Sequence, residues 1–199
     1  MFTDIFNTDK KYTVVYADPP WEYKESGGGR RGTAGMPYCS MKTEEICSLP
    51  VKEITVQGSI LFIWATFPKL LECLRVMDAW GYRYYSLGFD WTKTTKAGKP
   101  CYGMGYYTRQ NNEVCLIGVR KERVKPKDRS VSCVVRSLRR EHSRKPDEVR
   151  EAIGRICGDV PRIELFAREE VPGWDCWGNE TDMFARDNKE YPGNECGRQ

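Results

Sequence analysis

A chain of 199 residues, 40% of them hydrophobic, has enough apolar material for one ordinary core and is expected to form one domain. The most apolar run, Ser59 to Phe67, falls far short of the about 20 residues that cross a bilayer, and no charged leader precedes a long apolar segment, so a soluble, cytoplasmic protein is expected. The net charge of +4 is modest, and nine cysteines without one C-x-x-C favour reduced, mostly buried thiols over a disulfide scaffold or a zinc site.

The first predicted strand, "YTVVYA" at 12–17, runs straight into "ADPPWEY". Each proline lacks an N–H, fixes its own φ and holds the residue before it in extended geometry, so the strand must stop at Asp18. The stiff turn that follows presents the Asp18 carboxylate and backbone carbonyls at the strand's carboxyl end, where open α/β sheets bind ligands. The same residues also suit a rigid loop in which Asp18 accepts a backbone N–H and Trp21 plugs the core.

"SILFIWA" at 59–65 is continuously apolar, as a strand buried on both faces would be. A helix is predicted over 68–81, with Pro68 at its start, Leu70, Leu74 and Met77 on one face and Gly81 as its stop. Strands follow at 82–91, 113–119 and 131–135. The segment 145–158 repeats the helix logic: Pro146 near the start, Asp147 and Glu148 in the first turn, Val149, Ile153 and Ile156 on one face, Gly158 past the end. "RIELFA" at 162–167 closes the pattern, which predicts an α/β fold with a mostly parallel, doubly wound sheet.

Two long irregular stretches interrupt it, 24–41 and 93–112, both rich in Gly, Tyr and Lys or Arg. They combine hinges, stacking faces and phosphate partners. Gly27, Gly28 and Gly29 lack the spacing and the following helix of a phosphate loop. The segment 120–145 holds eleven Lys or Arg against three acids, which suits a polyanion or a solvated loop.

"ADPPWEY", "MPYCSM" from Met36, "NNEVCLIGV" from Asn111, "HSRKPDEVREAI" from His142, "RIELFAR" from Arg162 and "WGNE" from Trp177 resemble, in that order, the MT-A family of adenine-N6 methyltransferases. That family is named for the seventy-kilodalton subunit of the mRNA adenosine methyltransferase and has many bacterial and phage members. The resemblance covers nearly the whole chain. It implies a single-domain Rossmann-like methyltransferase fold with permuted motif order, the catalytic motif early and the cofactor strand late. The domain is expected over 1–186, with a flexible tail at 187–199.

The resemblance implies S-adenosylmethionine as cofactor and Asp18, Pro19, Pro20 and Trp21 as the catalytic motif. Adenine's exocyclic amine is a poor nucleophile because its lone pair is delocalised into the ring. Acceptance of its two N–H groups by the Asp18 carboxylate and the Pro19 carbonyl favours a pyramidal nitrogen aimed at the methyl group, which moves in one in-line displacement. Trp21 is the expected stacking face for the base, with Tyr38 near it, and Arg30, Arg31, Lys93 and Arg109 are expected to meet phosphates.

Asp18, Asn112, His142, Arg144, Asn179 and Glu180 are the implied cofactor contacts. Glu180 departs from the family's amide, Arg144 stands where many relatives have His, and Asn112 where some have Lys. His142, the only histidine, is expected to hydrogen-bond beside the cofactor or lie in a solvated loop, because this chemistry needs no histidine base and one histidine makes no metal site.

The partner implied is nucleic acid, DNA over RNA because the chain is short like bacterial and phage members, with a homodimer or partner subunit plausible. An RNA adenosine methyltransferase is the alternative substrate reading. An inactive nucleic-acid-binding partner subunit is the alternative of another class, against which stands the retention of both Asp18 and Trp21.

Overall fold

Residues 1–23, 40–103, 105–140 and 144–178 are described by a computed structural model, in which strands β1 (Tyr12–Ala17), β2 (Thr55–Ala65), β3 (Arg83–Thr94), β4 (Asn112–Val119), β5 (Val134–Leu138), β6 (Arg162–Leu165) and β7 (Asp175–Trp177) form one sheet. Their order is β5-β3-β4-β2-β1-β6-β7. β1 lies parallel to β2 and β6, β6 to β7 and β3 to β5, whereas β4 is antiparallel to both β2 and β3. Every strand but β4 therefore runs the same way, as the mostly parallel Rossmann-like reading expects.

Alternation along the strands divides the core in two. Val15, Ala17, Leu61, Ile63, Ala65 and Leu116 share one face with Ile46 of helix α1 (Thr43–Cys47) and with Cys73, Val76 and Met77 of α2 (Leu70–Ala79). Val14, Tyr16, Phe62, Trp64, Phe89 and Trp91 share the other with Val149, Ile153 and Cys157 of α3 (Asp147–Cys157). Pro68 sits in the 3-10 turn Phe67–Lys69 that leads into α2, and Pro146 is the residue before α3.

β5 begins three residues later than its sequence pattern predicts. The Ser132 hydroxyl accepts the Val134 N–H at 3.1 Å, and pairing with β3 is joined at the Cys133 carbonyl, which accepts the Asp90 N–H at 2.7 Å. Helix α1 and strand β7, of five and three residues, are too short to display a period in sequence.

The topology gathers chemistry at one rim. Asp18 follows β1, Thr66 follows β2, Lys93 stands near the end of β3, and Phe166 to Arg168 follow β6. Because β4 is reversed, its first residues lie at that same rim: Val114 pairs with Ala65 and Glu113 with Trp91. Among the described residues no helix is long and apolar enough to cross a membrane. The expected tail, 187–199, lies outside the described residues.

Candidate active site

The prolines do what their chemistry requires: β1 ends at Ala17, and the turn after it delivers Asp18 to the rim. The Pro19 carbonyl accepts the Trp21 N–H at 2.9 Å and the Pro20 carbonyl accepts the Met41 N–H at 2.8 Å. A carbonyl oxygen has two lone pairs, so that of Pro19 retains acceptor capacity.

Beside Asp18 stands a residue that motif reading did not single out. Lys145, the last residue before Pro146, donates to the Asp18 carboxylate at 2.8 Å and lies 3.2 Å from Glu113. The Lys145 and Glu113 side chains are each only 10% exposed. Lys93 pairs with the other oxygen of Glu113, and the Lys145 ammonium sits 5.6 Å from the centre of the Trp64 ring. Charges thus alternate through Asp18, Lys145, Glu113 and Lys93. Burial alone would lower the Lys145 pKa, but Asp18 and Glu113 outweigh it and hold the ammonium well above its ordinary range. Burial pushes Glu113 up, and Lys145 with Lys93 more than reverses this, keeping the carboxyl below its usual value.

On the α3 side of this pivot a second cavity is lined by Asp18, Lys145, Glu164, Phe166, Arg168 and Glu169, among others. Arg150 grips Glu164 with two hydrogen bonds of 2.9 and 3.2 Å, and Arg144 donates to both oxygens of Glu169 at 2.8 and 3.0 Å. Burial pushes the Glu164 carboxyl up, against the Arg150 partner that lowers it, with Asp18 and Glu169 adding to the rise. Phe166 has a φ of 60°, left-handed geometry that a bulky residue rarely adopts and that concentrates at ligand sites. Gly178 lies so close that a Cβ there would stand 2.4 Å from the Ala167 carbonyl oxygen.

On the other side, a cavity of about 230 Å³ lies between the rim and the β3–β4 connection, lined by Lys93, Tyr102, Asn111, Asn112, Glu113 and Arg139, among others. It shares Thr66 and Glu113 with the cavity directly over Asp18, Pro19, Pro20 and Trp21.

The expected residues therefore divide. Asp18, Pro19, Pro20 and Trp21 come together over one cavity. Trp21 is 6% exposed, belongs to the core and donates its Nε1–H to the Trp64 carbonyl at 3.1 Å, and the residue also lines that cavity. Lys93 is engaged with Glu113 and lies 4.9 Å from the centre of the Trp91 ring. Arg109 is exposed on the β3–β4 connection. Asn112 donates to Asp90 at 2.9 Å and lines the 230 Å³ cavity, apart from Arg144 on the α3 side. Arg30, Arg31, Tyr38, His142, Asn179 and Glu180 lie outside the described residues.

Lys145, Glu113, Arg150, Glu164 and Arg168 were missed by motif reading. A signal existed: "NEVCLIGV" and "RIELFA" each carry one acid within an apolar run, and a buried carboxylate demands a cation. Four members of the basic segment supply such partners or similar ones. Lys145 and Arg144 act as above, Arg140 pairs with Asp147 at 2.5 Å, and Arg120 donates to the Thr55 hydroxyl at 2.7 Å. Among the described residues no cluster of three or more His, Cys, Asp or Glu could hold a metal ion.

The MT-A70 family model matches residues 12–180. The type II methyltransferase M.MunI of a Mycoplasma species is 32% identical over 188 residues, which are 86% of this chain and 78% of that protein. The N(6)-adenosine-methyltransferase MT-A70-like protein of Arabidopsis thaliana is 28% identical over 205 residues, 95% of this chain and 27% of that protein. The human N(6)-adenosine-methyltransferase catalytic subunit METTL3 is 28% identical over 199 residues, 92% of this chain and 32% of that protein. The chain thus spans most of the bacterial relative and a third or less of these eukaryotic ones. With the family's acid–proline motif at the rim of the expected sheet, the chain belongs to the MT-A70 family of S-adenosylmethionine-dependent adenine-N6 methyltransferases.

Proposed function

We propose that this protein transfers a methyl group to the N6 amine of adenine in DNA by direct in-line displacement, with Asp18 and the Pro19 carbonyl as the two acceptors that orient the amine. The observation that carries this reading is the position of Asp18, shared between a cavity on the α3 side and one that opens toward the β3–β4 connection.

The α3-side residues fit the cofactor by their chemistry. S-adenosylmethionine, when bound, supplies an electrophilic methyl group. Asp18, Glu164 and Glu169 match its cationic groups and ribose hydroxyls, Lys145 and Arg168 its carboxylate, and Phe166 offers an apolar ring for its base. Asn179 and Glu180 join the proposal on the sequence pattern. Asn112, on the opposite side, is assigned to the substrate.

The Asp18 carboxylate accepts one adenine N–H and the Pro19 carbonyl the other. Catalysis is then positioning and electrostatics in a water-poor pocket, with no covalent intermediate on the protein. Lys145 is a positioning residue that holds Asp18. The nitrogen sheds one proton as the N–C bond forms, and of the two acceptors the Asp18 carboxylate is the one basic enough to take it. Trp21 and Tyr38 flank the base, and Arg30, Arg31 and Arg109 meet the backbone. In a duplex the adenine must leave the stack to reach such a site.

The DNA assignment is supported by the similarity to the bacterial type II methyltransferase, at 32% identity over 86% of this chain and 78% of that protein. RNA is the second reading, favoured by the similarity to METTL3. The same proposal leaves room for a second copy or a partner subunit that contributes strand contacts. Asp18→Ala tests the chemistry: with folded protein saturated in cofactor, transfer should fall at least ~100-fold, the scale for losing a preorganised electrostatic contact. Activity within tenfold of wild type contradicts the role.

A further inference from the structure

We infer that Tyr106 and Tyr107, at the tip of the β3–β4 connection, are an aromatic wedge that enters duplex DNA where the target adenine leaves the stack. The inference rests on the DNA-adenine reading above and extends it to how the base is exposed.

Each of the two tyrosines is 94% exposed, more than any other large apolar side chain among the described residues, and their rings meet edge to face with centroids 4.9 Å apart. Two adjacent aromatic rings held in water leave stacking faces open to a partner. Their carrier is a connection folded into two successive turns. The first is closed by the Thr95 N–H donating to Lys99 O at 2.8 Å and the Cys101 N–H to Lys93 O at 2.9 Å, and the second, which holds the tyrosines, by the Gly103 N–H donating to Gln110 O at 2.6 Å. Gly105 closes the tip, because a Cβ there would lie 1.9 Å from the Thr108 carbonyl oxygen.

Charge and position name the partner. From Lys93 to Asn112 the chain carries Lys93, Lys96, Lys99 and Arg109 and not one acid. Lys96 and Lys99 are exposed on the first turn of this connection and Arg109 on the turn that carries the tyrosines, as contacts to a phosphate backbone require. Below the tip, Tyr102, Gln110 and Asn111 line the 230 Å³ cavity, which meets the Asp18 cavity at Thr66 and Glu113. The second turn therefore carries an exposed ring pair on residues that adjoin the cavity lining. Side chains inserted between base steps offset the unstacking that extrusion of a base requires. Tyr106 and Tyr107 can stack on the neighbours that the adenine leaves behind.

The test compares wild type with the double variant Tyr106→Ala, Tyr107→Ala on one oligonucleotide in three forms: single-stranded, fully paired, and paired with an abasic site opposite the target adenine. The ratio of paired to single-stranded activity should fall roughly tenfold or more in the double variant. The abasic duplex should restore most of the loss. Tyr106→Phe with Tyr107→Phe should retain the wild-type ratio, and Tyr107→Ala alone should fall between. With 2-aminopurine at the target position, wild type should raise its fluorescence on binding paired DNA and the double variant should not. Equal loss on all three forms, or no loss on the paired one, overturns the wedge. Wild-type enzyme that methylates only RNA, or only single strands, also overturns it. In the first case the substrate reading fails as well, and in the second that reading survives.

Discussion

The two sides of Asp18 are built from different chemistry. Toward α3 the cavity wall is almost wholly charged, with Arg144, Arg150, Lys145 and Arg168 set among Asp18, Glu164 and Glu169. Toward the β3–β4 hairpin the wall is mostly neutral: Gln110, Asn111, Asn112, Tyr102 and Thr66 surround the Lys93–Glu113 pair, with Arg139. A wall of balanced charge suits a ligand with charges of both signs, and a wall of amides suits a neutral base read by hydrogen bonds. Lys145, bound to Asp18 on one hand and Glu113 on the other, is the partition between them.

The largest effect should come from removing that partition. Lys145→Met leaves Asp18 and Glu113 without their shared cation, so the variant should lose about 3–5 kcal/mol of unfolding free energy, as broken buried ion pairs do. Cofactor affinity should fall with it. Denaturant unfolding with a loss under about 1 kcal/mol would show that the two sides are not coupled through Lys145.

Glu113→Gln is milder, because Lys145 keeps Asp18. We expect a loss of about 1–3 kcal/mol, the cost of leaving a buried donor under-partnered, with a larger change in the DNA KM than in cofactor affinity. The pH dependence has a definite sign. Glu113 titrates in the folded protein below its ordinary value of 4.5, so its contribution is present above that value and is lost as the pH falls through the lower folded one. The stability gap between wild type and Glu113→Gln should therefore shrink only in acid. Lys145 titrates above its ordinary value of 10.5, so its contribution is complete below that value and is lost only at higher pH. A gap that changes between pH 6 and 9 would contradict both assignments.

The smallest effect separates two neighbours in the basic segment. Arg139 is exposed at the edge of the hairpin-side cavity, whereas Arg140 pairs with Asp147. Arg139→Ala should lower the slope of log affinity for DNA against log salt by about 1 and leave base choice intact. Arg140→Ala should lower it less. Equal slopes for the two variants would return the segment to a uniform basic surface.

Much of this was legible in sequence because the rules involved are local. Pro19 and Pro20 end β1 wherever the strand lies, and Pro146 with Asp147 and Glu148 marks the start of α3 in any context. The β3–β4 hairpin and the late start of β5 depend instead on partners distant in sequence, such as the Asp90 bond to Cys133. Lys145 was hidden for a different reason: it ends a run of eleven cations, and composition cannot say which of them is drawn inward. Only the acid of β4, stranded in an apolar run, required that one be, since the acid of β6 is met by Arg150 of α3. Lys93 carries the same lesson, since its charge meets Glu113 and its ammonium lies by the Trp91 ring.

Product analysis tests the central claim most directly. Purified protein is incubated with labelled S-adenosylmethionine and matched single-stranded DNA, duplex DNA and RNA, and the nucleosides released by digestion are separated. N6-methyladenine in DNA, abolished by Asp18→Ala, is the predicted result. Label found only in RNA, or on any base other than adenine, would contradict it.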